Sequence, residues 1–135
     1  MSDMHIANGV DTATALLSAY QKGKRCFSNA DLSAVDFSGA DLKGADFSYA
    51  DFSEANLTQA NLRGADLSYA QLCNAQLREA DLQGATLIGT NLRGAVLEGT
   101  KLRAADYDSK ETHFPKGFDP KVASMRNARE SLHGA

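Results

Sequence analysis

Carboxylates recur along the middle of this 135-residue chain at a fixed interval, with Asp31, Asp36, Asp41, Asp46, Asp51 and Asp66 each standing immediately before a large apolar residue. Two carboxylates at a suitable separation can act as acid and nucleophile, and residues one strand spacing apart fall near the roughly 5 Å that retaining glycosidases use. Asp31 with Asp51, and Asp46 with Asp66, are the candidate pairs. Against this, Asp or Asn fills the same place at nearly every step of the pattern. A structural role requires such recurrence, whereas a catalytic dyad occurs once, among distinct neighbours. The carboxylates therefore read as parts of a repeated brick, and the chain as a non-enzyme.

The other reactive types are sparse. His5, His113 and His133 lie in the flanks and share no metal-ligand spacing, which suggests solvated or capping roles. Cys26 and Cys73 form no CxxC motif, have no paired His, and are too few for a disulfide framework, so a reducing cytoplasm is the expected compartment. No phosphate loop or G-x-S-x-G stretch is present, and no cofactor or metal is expected. Met1 to Arg25 carries no apolar run long enough for a signal peptide or membrane span.

What must position these side chains is a period of five. From Phe27 to Tyr107 every position ending in 2 or 7 is Leu, Phe or finally Tyr, seventeen in succession. Positions ending in 0 or 5 from Ala30 to Ala105 are Ala except Val35, Thr90 and Thr100. Seven of the eleven glycines stand two residues after a large apolar residue. Five matches neither the 3.6 of a helix nor the 2.0 of a strand, so the chain must turn at every unit. The Leu or Phe points inward and Ala fills the tight inner corner. Gly supplies conformational freedom at the bend, while Asp or Asn bonds the nearby backbone.

The stretch DLKGADFSYA at 41–50 returns as NLRGADLSYA at 61–70, so four units close one coil and like residues stack at a spacing of twenty. That register builds three surface features. Lys43, Arg63 and Arg103 form a basic column, helped by Lys101. Asp46 and Asp66 round the corner are expected to neutralise it in part, and with no aromatic residues interleaved, nucleic-acid binding is not expected. The face around residues 47, 67, 87 and 107 is the most acidic, carrying Asp46, Asp66, Asp106 and Asp108. On that same face Tyr49 lies directly above Tyr69, with Ile88 one coil further along. Two stacked rings serve the fold without any partner; they are also the most apolar outward feature and the candidate contact patch, together with Asp46 and Asp66.

An open stack of coils exposes a strand edge at each end, and both flanks read as covers. Residues 1–24 contain a short helix over 11–22, capped by Asp11 or Thr12, with Ala13, Leu17 and Tyr20 on one face and Gly23 as its stop. Residues 110–135 form a tail in which Val122, Met125, Ala128 and Leu132 space as one helical face; the last coil, a second subunit or a partner would cover it. Residues 25–109 are the repeat column, a little over four coils and roughly 20 Å long.

The A(D/N)Lxx run resembles the pentapeptide-repeat family, and the resemblance covers residues 25–109. The flanks LLSAYQKGKRCFSNADL and THFPKGFDPKVASM are similar to those of cyanobacterial members. The resemblance implies an all-β fold, a right-handed quadrilateral parallel β-helix. It also implies a function in binding, since some members act as DNA mimics that occupy an enzyme such as gyrase. A net charge of −3 and so few coils make this chain short and weakly charged for that role. The expectation is a monomeric, cytoplasmic protein-interaction module without cofactor, and the alternative is a gyrase-directed DNA mimic.

Overall fold

The computed structural model describes residues 12–132. Its chain bends at every fifth residue. In each unit the amide of the Ala, or of Val35, Thr90 or Thr100 in its place, donates to the carbonyl of the preceding Leu or Phe, as from Ala50 to Phe47 at 3.0 Å, closing a four-residue turn. The third residue of that turn has φ between 57° and 73° throughout the column. Glycine occupies this left-handed place at Gly39, Gly44, Gly64, Gly84, Gly89, Gly94 and Gly99, but Tyr49, Glu54, Gln59 and Tyr69 adopt it too. The turn geometry demands positive φ here, whatever the side chain.

Between turns the backbone bonds to the coil above and the coil below. Phe47 N donates to Asp66 O at 2.8 Å, Tyr49 N to Ser68 O at 2.9 Å, and Asp66 N to Ala45 O at 3.0 Å. Parallel bridges link residues twenty apart from Cys26↔Asp46 to Thr86↔Asp106, so four five-residue sides make one coil. Each bridge is one residue long because the chain turns again at once. The inward residues from Phe27 to Leu92 are all 0–1% exposed. Their composition is graded along the axis. Phe27, Phe37, Phe47 and Phe52 interlock in the first two coils, with Phe47 edge-on to Phe52 at 4.9 Å, and leucines fill the middle.

The N-terminal end is closed by α1 (Thr12–Gln21). Gly23 ends it in a left-handed conformation: Gly23 N bonds Tyr20 O at 2.9 Å and Lys24 N bonds Ala19 O at 3.0 Å, the pairing of a Schellman stop. Ala13, Leu16 and Tyr20 are buried on the first coil, and the Tyr20 hydroxyl donates to Lys43 O at 2.7 Å. Leu16 therefore takes the place expected for Leu17, which is only partly buried, because the 13–16–20 stripe points straight down and Leu17 sits about 100° round the helix. Of the two expected caps, Asp11 lies outside the described residues; the helix begins at Thr12.

The C-terminal end departs from expectation. Among the described residues no helix spans the tail; α2 covers Ala128–Leu132, and Val122 is 82% exposed. The tail instead continues the ladder past residue 109. His113 bridges Asn91, and β2 (Arg126–Asn127) pairs in parallel with β1 (Asp106–Tyr107). Between them Met125 N bonds Pro120 O, and Asp119 Oδ1 accepts Lys121 N, folding 119–125 into turns that a helix would have to undo. Phe114 stands edge-on to Tyr107 at 5.5 Å and stacks on Phe118 at 5.0 Å, plugging the column from below.

Leu67→Ala, in the rigid middle, is expected to cost about 2–5 kcal/mol because the coils on either side hold the cavity open. Tyr107 is 4% exposed under its aromatic plug, so Tyr107→Ala is expected to cost a similar amount, unlike a residue at a frayed end. Urea unfolding of both variants checks this, and a wild-type midpoint for Tyr107→Ala would contradict the plug. Deleting residues 119–135 removes β2 and bares the edge at Asp106. The shortened protein is expected to elute as larger species in size-exclusion chromatography, whereas monomer elution at unchanged solubility would show that the tail is no cover.

Candidate functional site

The acidic face is built by its turns. Asp46 Oδ1 accepts Ser48 N at 2.9 Å and Ser48 Oγ at 2.7 Å, and Asp66 Oδ1 accepts Ser68 N at 2.9 Å. The same bond recurs from Asp31 to Asn91, and Asn56, Asn61 and Asn91 make it as well as the aspartates do. The carboxylates singled out as possible dyads are thus engaged in holding the corner, through one oxygen each. At Asp36, which carries the same cap, the Ser38 amide and hydroxyl hold the carboxyl below its ordinary range.

Two residues after each inward centre, Tyr49 and Tyr69 stack with centroids 5.3 Å apart and planes 14° from parallel. Register alone brings them together, since both stand at the left-handed place of turns twenty residues apart. They remain 60% and 41% exposed. Tyr69 is fixed further by its neighbours. Its hydroxyl donates to Glu111 Oε1 at 2.9 Å, which raises its pKa, and its ring lies where a Cβ on Gly89 would be. Ile88 is half-buried, and its carbonyl accepts Tyr69 N at 2.9 Å. Tyr49, Tyr69, Ile88, Asp46 and Asp66 thus share one face.

The basic column also aligns, with Lys43, Arg63 and Arg103 exposed in register. Its partial neutralisation comes from a different source than expected. Lys43 pairs with Asp41 at 3.5 Å and Arg63 with Asp81 at 3.2 Å, carboxylates of the same face that use Oδ1 for their own turns and Oδ2 for the cation. The Lys43 pair is largely solvent-exposed and the Arg63 pair is exposed on its cationic side, so both add little stability.

Several contributors have no counterpart in the five-residue pattern. Arg126 pairs with Asp106 at 2.9 Å and Arg129 with Asp108 at 2.6 Å, halving the charge expected on the acidic face. Thr90, Thr100 and Thr112 donate their hydroxyls inward to the carbonyls of Leu67, Leu77 and Leu87 at 2.6–2.8 Å. His113 Nδ1 lies 3.1 Å from Arg93; His5 and His133 lie outside the described residues. Among the described residues no cluster of three or more metal-ligating side chains occurs. A shallow hollow of about 200 Å³ between α1 and the first coil is lined by Leu17, Tyr20, Gln21, Ala40 and Asp41, with a single carboxylate.

A four-sided parallel β-helix whose polar corners serve its own backbone, and whose surface is marked by an aromatic pair, defines the class of repeat-built scaffolds. The sequence pattern of pentapeptide repeats matches residues 26–64, 55–94 and 80–106, and the chain belongs to that family, with its right-handed quadrilateral fold. It is similar to alr5209, a pentapeptide repeat protein from Nostoc PCC 7120, at 48% identity and a TM-score of 0.83, over 84% of this chain and 93% of that one. This is more than the repeats alone occupy, so the likeness extends into the flanks. AT2G44920, from the Arabidopsis thaliana thylakoid lumen, is 35% identical over 73% of this chain and 63% of its own, with a TM-score of 0.49. The comparison with curated proteins finds no match.

Gly89→Ala is expected to destabilise by about 1–2 kcal/mol from the left-handed backbone and to displace the Tyr69 ring in addition. Combining it with Tyr69→Ser should recover the second part. A thermal melt in which the double variant is less stable than the sum of the two single variants would contradict the seat.

Proposed function

We propose that this chain is a non-enzymatic, rigid protein-interaction module that acts as a cytoplasmic monomer and meets its partner through the face of Tyr49, Tyr69 and Ile88, rimmed by Asp46 and Asp66. The observation that carries this reading is the exposed tyrosine stack. Both rings project from a left-handed position that elsewhere holds mostly Gly, Ala, Asn, Glu or Gln, and with Val122 they are the large apolar side chains most exposed among the described residues. Tyr is favoured at binding hot spots because it offers area at little entropic cost. A continuous backbone ladder makes the platform stiff, so binding there needs little ordering. The engagement of the carboxylates as turn caps favours a scaffold over a catalyst. No helix among the described residues is long and apolar enough to cross a membrane.

The second reading, a DNA mimic directed at gyrase, is weakened by the tail, because Arg126 and Arg129 neutralise two of the four carboxylates on the most acidic face. A supercoiling assay distinguishes the two, and the module reading expects neither inhibition nor protection at micromolar protein.

The direct test is Tyr49→Ser with Tyr69→Ser. The double variant should lose about 0.5–1.5 kcal/mol of stacking stability and should also fail to capture the partner recovered by the wild type in a pull-down from the native organism. Lowered melting temperature with undiminished capture would overturn the patch.

A further inference from the structure

Tyr49 is the more exposed ring of the tyrosine stack, 60% against 41%, and its surroundings select what can lie on it. Tyr69 has Tyr49 on one side and the Gly89 backbone on the other, with its hydroxyl tied to Glu111. Among the described residues Tyr49 has one aromatic stacking partner, Tyr69, and twenty residues before it stands the exposed Asn29. Around this ring the charges are uncompensated. Asp46 and Asp66 have no cationic partner among the described residues, in contrast to Asp106 and Asp108 on the same face, and Glu111 has none either. The caps leave one oxygen of each carboxylate for another donor: Asp46 and Asp66 use Oδ1 for the turn, and Asp46 Oδ2 meets only the Cys26 thiol, at 3.9 Å.

Accepting the aromatic patch as the contact surface, we propose that its occupant is an arginine side chain from a basic, extended segment of the partner protein, its guanidinium lying on the exposed ring of Tyr49 and its N–H groups reaching the free oxygens of Asp46 and Asp66. A guanidinium is planar and weakly hydrated, stacks on aromatic rings and donates in pairs to carboxylates; an ammonium does none of these as well. The phosphates of a nucleic acid would be repelled by the same carboxylates.

The test uses the full chain and three peptides, acetyl-GRGRG-amide, its lysine counterpart and its citrulline counterpart, followed by NMR at low ionic strength. The arginine peptide is expected to shift Tyr49 resonances, bind about two- to five-fold more tightly than the lysine peptide, and weaken as salt is raised. Tyr49→Ser should reduce affinity two- to five-fold. Asp46→Asn with Asp66→Asn should do the same at an unchanged melting temperature, because Asn makes the same cap at positions 56, 61 and 91. Equal binding of the citrulline peptide, shifts confined to another face, affinity unaffected by both variants, or displacement by a single-stranded oligonucleotide would each overturn the assignment. If the tyrosine double variant loses its captured partner while no arginine peptide touches Tyr49, the patch stands and the arginine seat falls. If the arginine peptide binds Tyr49 while capture is unaffected, the seat is upheld and the patch as the native contact falls.

Discussion

Every fifth residue of the column must enter the left-handed region of backbone space, and the remainder of the architecture depends on that requirement. Positive φ at the third place of each turn lets the carbonyl of the inward residue reach the amide three positions on, so the chain leaves each corner after one bridge-length of extended backbone. Because all corners are alike, amides and carbonyls of successive coils come into line twenty residues apart without help from side chains. L-residues resist this conformation by about 1–2 kcal/mol each, yet Tyr49, Glu54, Gln59, Asn74 and Glu79 hold it as Gly44 does. What offsets the strain is shared among neighbours: the inter-coil bonds, the Asp or Asn cap, and an inward side chain that water cannot reach.

Repetition explains why so much was legible in advance. A period of five excludes helix and long strand by arithmetic, and the duplicated decapeptide fixes four sides per coil. The Tyr49–Tyr69 stack follows from the same register. The tail was illegible because its register slips. Asn91 bridges His113, twenty-two residues away, and Asp106 returns to twenty with Arg126. Two residues are absorbed at the 109–111 turn, so the five-residue reading loses phase there. Val122, Met125 and Ala128 then imitate a helical stripe, while the unpaired edge at Ala104 and Ala105 draws Ser124 and Arg126 into the ladder.

The candidate site divides along the same line. Residues placed by the repeat were predictable: Tyr49, Tyr69, Ile88, Asp46 and Asp66 occupy one face. Those supplied by the tail were not. Glu111 reaches Tyr69 across a separation of forty-two residues, off the twenty-residue grid, and Arg129 meets Asp108 at twenty-one. The inward hydroxyls of Thr90 and Thr100 were visible only as exceptions among alanines. Their purpose needed the carbonyl that each meets in the preceding coil.

The corner cap asks its side chain for a single oxygen, and Asn serves it as well as Asp. At corners that make no ion pair within the chain, such as Asp46 and Asp66, the turn therefore does not require the charge. A lineage of such columns can exchange Asp and Asn one corner at a time, redrawing the electrostatic pattern of any side while the backbone beneath stays fixed. Where natural variants keep the acid at a corner that has no ion-pair partner within the chain, the turn does not account for it, and the choice between the two residues there works as a record of what that side has had to meet.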